Sequence, residues 1–186
     1  MALRNAILAA LLEGEASGYD LAKGFDASVA NFWTSTPQQI YRELEKMEGQ
    51  GLVSARVIAQ ERRPNKRLFS LTEAGRAELH GYTTQRPKPI AIRDELLVQV
   101  QSLEAGDAEA VRRAVRNKQE VAETKFKRYE RLRDRLLAGS TETDFLATAD
   151  RVGPYLTLAR GIAFEQENIR WCEFVLDVLD RRTDHG

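Results

Sequence analysis

Cysteine is nearly absent from this chain: Cys172 stands alone among 186 residues. An internal disulfide is therefore excluded, and such usage suits a reducing compartment. Histidine is almost as scarce, with His80 near a helix end and His185 in the C-terminal tail, neither beside cysteines or carboxylates at metal-ligand spacing. No glycine-rich phosphate loop and no nucleophile elbow occur. Cys172 lies within an apolar helical stretch, where a small buried side chain is a simpler reading than a nucleophile. No catalytic residue, metal or cofactor is assigned, and an enzyme is not expected. No apolar run reaches the roughly 18 residues of a membrane span, and the first residues lack a charged-then-apolar signal with a cleavage site. A cytoplasmic protein without a membrane partner is the expectation. Excess charge is missing too: Lys+Arg and Asp+Glu are both 28, so any preference for nucleic acid must be local. With 42% hydrophobic and 30% charged residues, a packed core is expected and wholesale disorder is not.

Helix signals dominate. "ALRNAILAALL" reads as a short first helix ended by Gly14. In "EASGYDLAKGFD", Ser17 caps a second helix, answered by Asp20 three residues on. "ASVANFWTS" connects to "STPQQIYRELEKMEGQGLV". There Thr36 is an N-cap, Pro37 takes the first helical position, and Gln39 completes a capping box. Ile40, Leu44 and Met47 form one helical stripe, and Gly49 and Gly51 offer the left-handed backbone that ends it. "LVSARVIAQ" and "RLFSL" read as two strands around a Pro-Asn turn, and Thr72 caps another helix. Three helices and such a hairpin describe a winged helix-turn-helix domain over 1–82. Pro87 and Pro89 mark a linker. Beyond it, 90–182 reads as a helical dimerisation domain: a three-turn helix, a long charged helix from Ala108 to Leu137, and a final helix whose start Gly153-Pro154 should kink or delay. The fold class is thus mainly α with a small β-hairpin.

Two features can carry recognition. The third helix bears Ser35, Thr36, Gln38, Gln39, Tyr41, Arg42 and Lys46 on its amino end and polar face. Gln pairs bidentately with adenine, and Arg reaches guanine or phosphate. A solvated face is the plain reading of such a list, and only the winged-helix context turns it into a DNA-reading surface. The hairpin turn holds Arg62, Arg63, Lys66 and Arg67, placed as a wing would place them against phosphate or in the minor groove. The long helix is basic around its whole circumference with acids interspersed, and reads as a packed, solvated helix with Val111, Val115, Ala122, Tyr129, Leu132 and Leu136 inward. In the last helix, Tyr155, Leu158, Ile162, Ile169, Cys172, Leu176 and Leu179 follow near-heptad spacing, with Phe164, Trp171, Phe174 and Val175 beside them. A buried core and a self-association surface both explain this; the shortage of apolar cover in this half favours dimerisation.

Four blocks in order carry a family resemblance: the Gly-Tyr of "SGYDLAKGF", the Ile-Tyr-x-x-Leu and Gly-Leu-Val of "QQIYRELEKMEGQGLV", and the Leu-Thr-x-x-Gly of "RLFSLTEAGRAEL". They resemble the PadR family of bacterial transcription regulators. "RDELLVQVQSL" and "ARGIAFEQENIRWCEFVLDVL" are similar to the helical C-terminal domain of its virulence-activator-like branch. The resemblance implies a homodimer whose C-terminal helices embrace the partner and whose winged domains read double-stranded DNA at a palindromic operator, more as a repressor than as an activator. It places Tyr41 near the DNA backbone. Relatives that respond to phenolic acids or drugs imply a small aromatic effector, for which an apolar pocket walled by Phe32, Trp33 and Trp171 is the candidate. The rival from another class is a winged-helix module that docks on a protein without reading DNA.

Overall fold

A computed structural model describes residues 2–24, 35–59, 65–89 and 93–183. The chain divides into two compact units, Met1–Lys88 and Pro89–Gly186.

In the first unit, helix α1 (Ala2–Ala10) tightens into a 3-10 turn, Leu11–Glu13, and Gly14 at φ 131° turns the chain out of it. Strand β1 (Ala16–Ser17) runs directly into α2 (Gly18–Gly24). Helix α3 (Pro37–Gly49) opens with the expected capping box: Thr36 Oγ1 accepts from Gln39 N at 3.3 Å, and Gln39 Oε1 accepts from Thr36 N at 2.9 Å. Only Gly51, at φ 70°, takes the left-handed conformation, while Gly49 stays inside the helix. Leu52 N then donates back to Met47 O at 2.9 Å and closes the helix end. Strands β2 (Val53–Ile58) and β3 (Lys66–Leu71) form the hairpin, and α4 (Glu73–Thr83) follows.

The sheet exceeds the expected hairpin by one strand. Its order is β1-β3-β2, all antiparallel, with Ala16 opposite Phe69 and Val53 opposite Leu71. Two residues are too few to show strand periodicity, so β1 is invisible to pattern reading. Ile7, Leu8, Leu11, Leu21, Ile40, Leu44, Met47, Val53 and Phe69 form the core between helices and sheet, each large side chain contributing roughly 1.5–3 kcal/mol on burial.

One joint fastens sheet to helices. Thr72 Oγ1 lies 2.7 Å from Gly51 O and 3.0 Å from Leu52 O, and it accepts from Gly75 N at 3.1 Å. Thr72 N donates to the same Leu52 carbonyl. The approach is so close that a Cβ on Gly75 would stand 2.1 Å from Leu52 O.

The second unit holds α5 (Glu95–Gln101), a 3-10 turn at Leu103–Ala105, α6 (Ala108–Leu137), α7 (Glu142–Thr148) and α8 (Gly153–Thr183). Asp107 caps α6 by accepting from Glu109 N and Ala110 N at 2.9 and 3.0 Å. The segment expected as one final helix is two. Thr141 caps the short α7, the chain is extended at Ala149, and α8 starts at Gly153, where the neighbouring Pro154 suits a first turn. Phe145 of α7 packs on Tyr155 of α8 with ring centroids 5.3 Å apart.

Helices α6 and α8 lie antiparallel along their length, as the pairs Arg112–Asp180 and Lys125–Glu165 show. Between them Val111, Val115, Cys172, Val175 and Leu179 are buried, with Leu96, Val100, Leu103, Trp171 and Leu176 half-buried around them. Of the stripe expected to face inward on α6, Val111, Val115, Ala122 and Tyr129 are buried, Leu132 is half-buried and Leu136 is exposed. Burial pushes the Cys172 thiol above its ordinary value, as a small core side chain requires.

Two glycines of α4 separate packing from propensity. Gly75→Ala should destabilise the winged unit by about 1–3 kcal/mol or more through overpacking against a backbone oxygen. Gly81→Ala, where an added Cβ meets nothing within 4 Å, should instead stabilise by about 0.5–1 kcal/mol. Thermal unfolding of the two full-length variants reads both signs; equal shifts would dissolve the joint as a packing constraint.

Candidate nucleic-acid interface

Helix α3 buries Ile40, Leu44 and Met47 and turns the opposite side outward. Gln38, Tyr41, Arg42, Glu45 and Lys46 are all exposed there. Gln38, Arg42, Glu45 and Gly49 recur at helical spacing along the outermost ridge. Glu45 sets one negative charge in its middle, and Gly49 leaves its last position without a side chain. Thr36 and Gln39 also lie exposed at the amino end, but each serves the cap: the Gln39 carboxamide oxygen is engaged, and its amide hydrogens remain to donate. The Ser35 hydroxyl oxygen is buried and has no hydrogen-bond partner among the described residues.

The ring of Tyr41, 43% exposed, leans back onto Gly18 at the start of α2. Arg4 of α1 donates from Nε to Glu43 at 3.2 Å and ties the rear of α3 to the core. This exposed polar face is thus mounted on a helix fixed by its cap, its buried stripe and a half-buried ion pair.

Of the four wing cations, Lys66 and Arg67 stand at the start of β3; Arg62 and Arg63 lie outside the described residues. Both described cations are turned back on the domain. Lys66 Nζ lies 2.9 Å from Asp20 Oδ2. Arg67 reaches Glu48 at 2.6 Å and covers the Phe69 ring at 5.3 Å. Arg56 on β2 pairs likewise with Glu15 at 2.5 Å. Lys66 and the Ser17 hydroxyl together hold the Asp20 carboxyl below the usual carboxylate range, Lys66 contributing most.

The candidate dimer residues divide. Tyr155, Leu158 and Leu179 are buried within their own chain, while Ile162, Ile169, Trp171 and Leu176 are half-buried. The near-heptad stripe is therefore largely used in packing α8 inside the second unit, the core alternative of the two the spacing allowed. Apolar surface remains elsewhere on α8, at Leu156, Phe164, Phe174 and Val178. Of the candidate effector pocket, Phe32 and Trp33 lie outside the described residues, and Trp171 packs beside Cys172 and Val175. An open cavity of about 320 Å³ lies instead between α5 and α6, walled by Gln99, Ser102, Asp107, Ala110 and Val111 among others; Trp171 is not part of it. No cluster of three or more histidines, cysteines or acids suited to a metal occurs among the described residues. Nor, among those residues, is any helix long and apolar enough to cross a membrane.

Residues 7–81 match the model of the Transcriptional regulator PadR-like family, and residues 92–180 match Virulence activator alpha C-term. A Mycobacterium tuberculosis protein named "Probable transcriptional regulator Rv1176c" is 32% identical, covering 98% of this chain and 100% of its own. The chain belongs to the PadR-like family of transcriptional regulators. Among solved members, Bacillus subtilis PadR in complex with operator DNA is 25% identical with a TM-score of 0.76, over 96% of this chain and 99% of that one. The same PadR has been solved with p-coumaric acid, at a TM-score of 0.70 and 25% identity over 97% and 99% of the two chains. The Vibrio cholerae virulence activator AphA is 30% identical with a TM-score of 0.68, covering 97% and 99%.

The PadR-like motifs acquire physical reasons here. Leu-Thr-x-x-Gly is the joint made by Thr72 and Gly75, and the Gly-Tyr of α2 supplies the surface beneath Tyr41. Sequence reading missed the partners of the wing cations, Asp20 and Glu48. Asp20 had shown itself only as a cap residue, and its tie to Lys66 spans a separation no periodicity reports.

Asp20 carries a pH dependence whose sign is determined. Its folded pKa is lowered from 3.8, so the stability it contributes is fully present above that value and is lost as pH falls through the lowered one. Asp20→Asn should lower the urea midpoint near neutral pH by the equivalent of at most about 1 kcal/mol, the pair being largely exposed. The gap between variant and wild type should close as pH falls through the lowered value. A gap that persists in acid would assign the loss to the cap geometry instead.

Proposed function

We propose that this chain is a cytoplasmic, non-enzymatic repressor that acts as a homodimer on a palindromic operator. The observation that carries this is the exposed polar face of α3, built on a capped and core-anchored helix in a PadR-like winged domain. Gln38 and Arg42 are assigned to base edges in the major groove, with Lys46 and Tyr41 to backbone phosphates. Ser35, Thr36 and Gln39 hold the amino end, where free amides favour a phosphate. Arg62, Arg63, Lys66 and Arg67 add wing contacts that supply affinity without sequence information. For Lys66 and Arg67, a phosphate must displace Asp20 or Glu48, so their net gain is smaller than that of an unpaired cation. The solved complex of B. subtilis PadR with operator DNA supports this reading. Its complex with p-coumaric acid supports release by a small aromatic effector.

Gel shifts of the full chain with its own upstream DNA, with and without random competitor, test the reading. A shift that competitor abolishes equally would leave the protein-docking alternative. Arg42→Ala or Gln38→Ala should cost roughly 1–3 kcal/mol on the specific duplex and little on random DNA. Equal losses on both would demote these residues to phosphate contacts.

For the dimer we assign the outward face of α8. Phe164, Phe174 and Val178 are exposed there, and with half-buried Trp171 at the edge of the core they are spaced 7, 3 and 4 residues apart, a heptad seam. Phe164 and Phe174 are 48% and 64% exposed in the single chain. Each buried aromatic would contribute roughly 1.5–3 kcal/mol to association. Because the inner face of α8 builds the second unit, substitutions on its outer face are cleaner than truncation. Phe164→Glu with Phe174→Glu should convert a dimer to a folded monomer by light scattering and weaken operator binding. A dimer that survives both charges would place the seam elsewhere.

A further inference from the structure

Most of the described glycines have either a backbone reason or open space beside them. Gly14, Gly51 and Gly139 occupy positive φ; Gly18 does not. It opens α2 in ordinary backbone and is buried. Any L-residue would suit its dihedrals, and what excludes a side chain is the neighbouring ring. A Cβ on Gly18 would stand 2.3 Å from Tyr41 Cε1, 2.7 Å from Cδ1 and 3.4 Å from Cζ. Tyr41 is the sole aromatic residue of α3.

We propose that Gly18 is a positioning residue for DNA binding: it seats the Tyr41 ring between α2 and α3 and so aims the hydroxyl at one backbone phosphate. The role rests on the DNA reading of α3 above. A tyrosine on an open helix face samples several rotamers, and binding must then fix one of them at an entropic cost. With Gly18 beneath it, one rotamer has a surface to lie on before DNA arrives. The ring is at the molecular surface, so a methyl group at position 18 does not break the core. It pushes the ring to another rotamer and leaves the fold standing.

The test uses the full-length protein and a labelled duplex that the wild type selects from a random-sequence pool. Fluorescence anisotropy is measured for Gly18→Ala, Tyr41→Ala and the double variant, with thermal unfolding alongside. The expected loss is roughly tenfold in affinity for Gly18→Ala and similar for Tyr41→Ala, about the worth of one charge-assisted hydrogen bond. The double variant should be no weaker than Tyr41→Ala alone, because the smaller side chain makes room for the methyl. The unfolding midpoint of Gly18→Ala should stay near that of wild type. In DNA-free protein, the fluorine signal of 3-fluorotyrosine at position 41 should shift on Gly18→Ala.

A loss for Tyr41→Ala without one for Gly18→Ala would overturn the seat and leave the DNA reading intact. Losses that multiply in the double variant would overturn it too, since Gly18 would then act without Tyr41. No loss for Tyr41→Ala removes both residues from the interface. If the wild type selects no duplex at all, the DNA reading itself fails, and this role with it.

Discussion

The winged unit depends on one carbonyl. Leu52 O accepts from the Thr72 amide and lies within reach of the Thr72 hydroxyl, and the Cα of Gly75 passes so close that no side chain fits. That single contact joins the turn after α3 to the start of α4, across the full length of the hairpin. Because β2 begins one residue after Leu52 and β3 ends one residue before Thr72, the joint clamps the base of the wing. The register of β2 on β3 starts from that clamp, with Val53 opposite Leu71. Hydrophobic burial supplies most of the stability, but burial is not directional. The joint supplies direction.

Much of this architecture was legible in the residues. Thr36-Pro37 with Gln39, Ser17 with Asp20, and Asp107 before a charged run mark helix starts through local hydrogen bonds, which depend on fixed short spacings. Those are the interactions a sequence displays. Strand β1 was hidden because two residues have no period, and α7 because its seven residues read as the first turns of a longer helix. The candidate interface was legible in part. Exposed Gln38, Arg42 and Lys46 follow from the periodicity of Ile40, Leu44 and Met47. The pairing of Lys66 with Asp20 and of Arg67 with Glu48 does not, since it depends on tertiary approach. The stripe on α8 shows the same limit from the other side. Near-heptad spacing identified the apolar positions correctly, yet spacing alone does not say whether a helix of the same chain or of another covers them. Here α6 covers Cys172, Leu176 and Leu179, and Phe145 of α7 packs on Tyr155.

Those ion pairs moderate the electrostatics of a chain with no net charge. Three cations of the hairpin strands are matched by three carboxylates on neighbouring elements, so the local field of the wing base is weak at rest. Added salt screens the internal pairs as well as any phosphate contact. A surface arranged in this way resists indiscriminate binding to polyanions, which favours the discrimination that Gln38 and Arg42 are assigned.

Ser17 ends β1, begins the cap of α2 and donates to Asp20, the same carboxylate that holds Lys66 on β3. Sheet, second helix and wing strand therefore share one small polar node, while Arg4 ties α1 to α3 and the joint at Leu52 ties the end of α3 to α4. A body cross-tied in this way has few soft internal modes. Kinetically, docking onto a duplex requires little ordering of the described part of the unit, so the encounter is set by diffusion and orientation more than by folding on contact.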